Sequence, residues 1–252
     1  VESAECGDAG ERALMALNFD GVDDYCTFTS AASVNNLGPL TWMAWVLPDL
    51  FTAAFGRMWV KGSGTGSARF ISLLRSTTSF GLAVDFSTTT LTPHAALNLV
   101  RLGQWDHWTL TWDGTTTATG ASIYRNAIES ATYTATTNGA GTVTDASFVG
   151  GMGARPSDAS GDFDGKMAHM QMWNRVLSTD ELRQAMLLPG SVQPGLVQYY
   201  PMDYLGPNNR QLHDFSGFAN HGTSNGVTVF TTSQPQTTQV AVVPMGGGGC
   251  SY

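Results

Sequence analysis

Apolar residues recur along this chain in short runs parted by Gly, Thr, Ser and Asp. Residues 40–47 set Leu40, Trp42, Ala44 and Val46 on one side and Thr41, Met43, Trp45 and Leu47 on the other. Neither side is polar, so this strand is expected to be covered on both faces. Residues 16–28 read as a first strand with a turn at Asp20-Gly21. Residues 57–61 and 67–75 follow, split by the Gly-rich stretch 62–66, and then 80–86. The run 105–112 ends at Asp113-Gly114, and 121–125, 147–150 and 166–173 complete the middle. Late strands are expected at 197–202 and 227–230. Strands at this spacing, with turn residues between them, predict an all-β sandwich of two antiparallel sheets.

One helix interrupts the alternation. Ser178-Thr-Asp-Glu181 is a capping box, in which the Ser178 hydroxyl accepts from the Glu181 amide and the Glu181 side chain reaches back. Leu182, Ala185 and Met186 give its apolar face and Pro189-Gly190 stops it, so a short helix is expected near 179–187. Residues 1–14 read as an added leader, 15–232 as the folded body, and 233–252 as a polar tail ending in four glycines. That tail is expected to order only if a partner holds it.

Length changes little in this picture, since 252 residues suit a single all-β domain. Charge changes more. The net charge is −8 and Lys61 and Lys166 are the lysines, which argues against nucleic acid and suits a soluble protein that collects cations or neutral sugars. No secretion signal opens the chain and no apolar run reaches the ~18 residues of a membrane helix. The chain is therefore expected either in its mature form or to leave its cell another way, such as lysis. Among the cysteines, Cys6 and Cys250 would form a disulfide if the termini meet, and otherwise belong to loose tails with free thiols. Cys26 reads as a buried small hydrophobe.

Two chemistries are on offer. Asp20, Asp23 and Asp24 place three carboxylates in five residues, and Asp214 and Asn220 add oxygen groups near the other end. Such hard oxygen donors suit calcium. The alternative is a pair of plain turns in which Asp caps backbone amides. Asp162 and Asp164 form a weaker second candidate, with an exposed turn as its alternative. Seven tryptophans supply rings on which sugars could stack. Trp59, Trp108 and Trp112 are the candidate platforms, against the plainer reading of each as core. His107 reads as a hydrogen-bonded core residue, and His213 and His221 as braces of the late turn. No H-E-x-x-H or P-loop pattern is present.

Several pieces then line up in order. Leu17-Asn-Phe-Asp-Gly-Val-Asp-Asp-Tyr25 opens the body and His213-Asp-Phe-Ser-Gly-Phe-Ala-Asn-His-Gly222 closes it. Between them stand Leu40-Thr-Trp-Met-Ala-Trp45, Gly103-Gln-Trp-Asp-His107 with 109–114, Ile123-Tyr-Arg-Asn126, Asp162-Phe-Asp-Gly165 through Met172-Trp-Asn-Arg-Val-Leu-Ser178, and 198–202. The ordered set resembles laminin-G-like, concanavalin A-type jelly rolls, and its opening run also resembles phage-encoded members. The resemblance implies that Trp45, Trp105 and Trp173 are core. It also implies that the two acidic motifs meet at one edge, often around calcium, so that Asp20, Asp23, Asp24, Asp214 and Asn220 would share one cage. Ala127 departs from the Gly of the family's hairpin, so that turn is expected to be wider or of another type. Glucanases of this fold carry paired carboxylates on one strand, yet the glutamates beyond the leader are Glu129, after a hairpin, and Glu181, in the helix cap. The resemblance therefore implies a non-catalytic, calcium-supported lectin-like module, extracellular or on a virion surface, that binds carbohydrate or a glycosylated surface. The alternative is a structural or decoration protein of a virion, with contacts to other virion proteins or to its own copies.

Overall fold

The alternation becomes fifteen strands and one helix in a computed structural model that describes residues 14–51, 55–63, 68–74, 79–93, 99–130, 133, 136–157, 160–206 and 210–232. The expected leader (bar Leu14), the tail from Ser233 and the Cys6–Cys250 pair lie outside the described residues. In chain order the strands are β1 (Leu14–Asp20), β2 (Tyr25–Phe28), β3 (Leu40–Leu50), β4 (Phe55–Lys61), β5 (Ala68–Leu74), β6 (Ser79–Asp85), β7 (Asp106–Trp112), β8 (Ala121–Arg125), β9 (Ile128–Glu129) and β10 (Gly150–Met152). β11 (Asp164–Trp173), α1 (Thr179–Leu187), β12 (Leu196–Tyr200), β13 (Gln211–Leu212), β14 (Gly222–Asn225) and β15 (Thr228–Thr232) follow.

They form two antiparallel sheets, as expected of a jelly-roll sandwich. The eight-stranded sheet runs β15-β1-β11-β3-β7-β8-β9, with β12 also on β11. The seven-stranded sheet runs β13-β14-β2-β10-β4-β5-β6. Between them lie Phe19, Phe28, Trp42, Trp59, Trp108, Trp112, Phe163 and Tyr200, all buried. Phe80 stands between Trp42 and Trp108, at ring-centre distances of 5.7 and 4.9 Å. The second face of β3 is also covered, as its sequence implied: Met43 joins Trp173, Leu182, Ala185 and Leu196 in a second cluster that includes α1. The Ser178 capping box forms in full, and Glu181 also pairs with Arg175.

Three expectations are corrected. Residues 16–28 are two strands in different sheets, because the Asp20 carboxylate accepts from the amides of Val22 (2.9 Å) and Asp23 (3.2 Å) and turns the chain across the sandwich edge. The strand expected at 147–150 starts only at Gly150, since the Phe148 amide closes a turn onto the Asp145 carbonyl at 3.0 Å. The Asn126-Ala127 turn is neither wider nor of another type: Arg125 pairs directly with Ile128, and φ is 53° and 60° at its two residues, the type I′ geometry.

One end of the sandwich holds buried charge. Lys61, Arg69 and Asp145 are buried; Arg69 pairs with the Asp145 carboxylate, and the Lys61 ammonium donates to the carbonyls of Asp145 (3.0 Å) and Phe148 (2.7 Å). Asp145 also accepts from the Asn36 amide at 2.7 Å. The long loop before it is thus tied to β4 and β5.

Candidate functional site

The acidic turn between β1 and β2 gathers ligand-type oxygens. One carboxylate oxygen from each of Asp20, Asp23 and Asp24 lies within 4.8 Å of the others. Asp20 and Asp23 are exposed, whereas Asp24 is buried and accepts from the Asp20 amide at 3.0 Å. Gly226 and Gly153 make this possible: a Cβ at Gly226 would strike the Asp24 carboxylate, and one at Gly153 would stand 2.8 Å from the Asp24 carbonyl. Burial, then the charges of Asp20 and Asp23, push the Asp24 carboxyl up to about 6. The turn amides hold Asp20 below the usual range instead. Asp164 lies opposite Asp20 in the β1–β11 register, and its carboxyl is raised by burial first and then by Asp49 and Asp20. This end of the molecule therefore concentrates negative charge that a cation would relieve. Three carboxylates in one turn are hard donors that fit a calcium-type ion, which completes its shell with carbonyls and water. Asp162 is not among the carboxylates so gathered.

Asp214 and Asn220 are elsewhere. β14 pairs with β2 from Asn225↔Tyr25 to Gly222↔Phe28, with the acidic turn beyond the first pair and Asp214 and Asn220 beyond the last. Those three residue steps alone separate the two motifs by about 10 Å. The common cage of five ligands is therefore not assembled: the motifs are on adjoining strands but at opposite ends. The Asp214 carboxylate is already engaged, one oxygen accepting from the amides of Tyr199 and Ser216 (both 2.9 Å). Its other oxygen accepts from the Asn220 amide (2.9 Å) and the Ser216 hydroxyl (2.8 Å). The Asn220 side chain donates to the Val197 carbonyl at 2.8 Å and accepts from the Ser33 hydroxyl at 3.1 Å. His221 Nδ1 accepts from the Asp214 amide at 3.1 Å, so this histidine does brace the turn.

The tryptophan platforms are corrected as well. Trp59, Trp108 and Trp112 are 0%, 1% and 1% exposed, between the sheets, and offer no face to a sugar. Trp59 stacks on Phe28 at 6.0 Å and donates to Gln198 at 3.1 Å, and Trp112 lies beneath Arg69. At alternating spacing Trp108 and Trp112 share a face of β7, and that face is the inner one. His107 is buried against Trp45, and burial pulls its imidazole down to about 3, which fits its reading as core. Among the described residues, the exposed phenyl and phenol rings are Tyr204, Phe215 and Phe218, which the sequence reading passed over. Their signal was available: two phenylalanines inside a polar, glycine-bearing turn have no core face to serve.

A laminin G family model, described as the concanavalin A-like lectin/glucanases superfamily, matches residues 20–183. No curated protein matches the chain. Among solved structures it is similar to a candidate carbohydrate-binding protein of Bacteroides ovatus, at 20% identity and a TM-score of 0.63, over 88% of this chain and 61% of that one. The chain thus spans about three fifths of that protein's length. It is similar to the heptameric SAP-like pentraxin of Limulus polyphemus, at 14% identity and a TM-score of 0.54, over 86% of this chain and 95% of that one. It is also similar to the enzymatically active domain of tailspike protein 2 of bacteriophage CBA120, at 16% identity and a TM-score of 0.51, over 75% of this chain and 30% of that one. These likenesses concern the fold. With the sheet order, the capping helix and the family match in agreement, the chain belongs to the laminin G branch of the concanavalin A-like lectin/glucanase superfamily.

Proposed function

We propose that the protein is a non-catalytic, lectin-like module that binds carbohydrate or a glycosylated surface, with a calcium ion bound at Asp20, Asp23 and Asp24. The observation that carries the reading is a family sandwich whose aromatic supply is divided, with every tryptophan at least half-buried and phenyl rings outside on a braced turn. The candidate carbohydrate-binding protein among its structural neighbours agrees with it. The ion would neutralise the repulsion at Asp24 and lock the β1–β2 crossover. Its role is structural support, because the turn it fixes joins the two sheets.

The non-catalytic part rests on the carboxylates. Glu181 is committed to Arg175 and Ser178, and Glu129 stands on a two-residue exposed strand. A retaining glycosidase instead sets two carboxyls about 5 Å apart across the sugar. The net charge of −8 favours neutral sugars over acidic ones. No helix among the described residues is long and apolar enough to cross a membrane, and the reading places the module outside the cell.

A printed oligosaccharide array, probed with calcium and again with chelator, tests this. Binding that weakens with chelator supports the whole reading. Undiminished binding removes the ion's role, and binding to no glycan removes the lectin role. Hydrolysis of the bound glycan, followed by chromatography, would show an enzyme instead. The assembly alternative predicts a discrete oligomer by light scattering, and a monomer contradicts it.

A further inference from the structure

The closing turn carries its rings in a chain. Phe215 is 63% exposed, yet its ring meets Tyr199 at 6.4 Å and 60° and His213 at 6.4 Å and 57°. His213 in turn meets His221 at 5.1 Å. On the other side Tyr199 stacks on His169 at 6.3 Å, with its hydroxyl 3.2 Å from His169 Nδ1. Asp203 acts electrostatically on both His169 and Tyr199, and Gly206 runs close beside His213, so the 202–206 loop flanks the same strip. That loop carries the exposed Tyr204, and the turn carries the exposed Phe218.

The display is rigid. The Phe215 amide donates to the Tyr199 carbonyl at 2.8 Å, and the Asn220 side-chain amide to the Val197 carbonyl at 2.8 Å. The Tyr200 hydroxyl, inside the core, donates to the Asn220 carbonyl. Three non-glycine residues with left-handed φ surround the strip: His169 at 50°, Met202 at 64° and Ala219 at 54°. Such backbone persists only where neighbouring structure enforces it, and it gathers at binding sites. Contiguous exposed rings rimmed by polar groups mark an interaction surface.

We propose that this strip, centred on Phe215 and rimmed by Tyr199, His213 and His221, is the binding site for an uncharged pyranose of an oligosaccharide. A pyranose has a C–H face and a ring of hydroxyls. Phe215 supplies a flat apolar partner, while a phenol and two imidazoles supply donors and acceptors around it. A fixed turn binds without an ordering cost. The acidic surface and Asp203 select against anionic sugars. The assignment rests on the lectin-like reading and adds the site and the sugar class.

The test carries the strongest uncharged oligosaccharide from the array into calorimetric titration of wild-type protein, Phe215→Ala, Phe215→Trp, His213→Ala and Asp23→Asn. The expected result is at least about a tenfold loss of affinity in Phe215→Ala with an unchanged melting point, and retention in Phe215→Trp. His213→Ala should weaken binding less, and Asp23→Asn, which loses calcium, should bind as wild-type protein does in chelator. Wild-type affinity in Phe215→Ala would overturn the site and leave the lectin reading standing. An array on which nothing binds would overturn both, and one on which only acidic glycans bind would overturn the sugar class. Concentration-dependent self-association that Phe215→Ala abolishes would make the strip a contact between copies and overturn the proposal.

Discussion

Ala127 sits at φ 60° in the tight turn between β8 and β9, where a Cβ crowds the backbone, while Asn126 beside it tolerates the same region. Asn126 is also fixed from outside: its side chain accepts from the His107 amide at 2.8 Å and donates to Asp106 at 2.8 Å. Ala127→Gly should therefore raise stability by about 0.5–1 kcal/mol, the relief of strain exceeding the added freedom of the unfolded chain. A lower melting point would show that Ala127 is not strained. Asp24 gives a second prediction at this scale. Its folded carboxyl is raised to about 6 from an ordinary 3.8, so the folded state holds its proton more tightly than the unfolded one. Its contribution is complete below about pH 4 and is lost as pH rises through 6. In chelator, wild-type protein should lose up to about 2–3 kcal/mol across that window relative to Asp24→Asn, and calcium should remove the difference. Parallel pH profiles for the two proteins would rule out the buried charge.

At the scale of elements, α1 is the clearest case of local sequence setting local structure. Ser178 and Glu181 satisfy each other's amides, and Arg175 holds Glu181 with two hydrogen bonds, which with the Ser178 amide takes its carboxyl down to about 2. Ser178→Ala should cost about 1 kcal/mol in denaturant unfolding, and no change would mean that tertiary packing alone holds the helix. Long strands with apolar alternation, such as β3, β7 and β11, were legible for the same reason: their side chains decide their faces. β9, β13 and β14 were not, because each is at most four residues long, too short to show a pattern, and is held by ladder hydrogen bonds to a neighbour. The acidic motifs were legible as turns, but not their separation along β14. That depends on register, which short polar strands do not encode. The tryptophans misled because seven large rings can be shared between core and surface in ways alternation cannot assign. A period of two says that Trp108 and Trp112 share a face and leaves open which face is inside.

Over the whole molecule, one polar system ties the sheets together and another ties a loop to the seven-stranded sheet. Trp59 of β4 donates to Gln198 of β12, which donates to the Tyr200 hydroxyl at 3.1 Å, which reaches the Asn220 carbonyl. At one end Asp145 neutralises one of two buried cations and anchors the preceding loop. Asp145→Ala leaves Lys61 and Arg69 buried without a counter-charge and should cost about 3–5 kcal/mol. Chemical denaturation with an unchanged midpoint would contradict that assignment. The rest of the molecule then works as a frame: the crossover turn at one end gathers carboxylates, and the closing turn presents rings on a backbone fixed by Asp214. A crystal structure grown with calcium and the strongest-binding oligosaccharide of the array tests this division most directly. The account predicts an ion about 2.3–2.6 Å from carboxylate oxygens of Asp20, Asp23 and Asp24, and a sugar ring lying over Phe215. An ion bound by Asp214 and Asn220, or a sugar seated away from the closing turn, would contradict it.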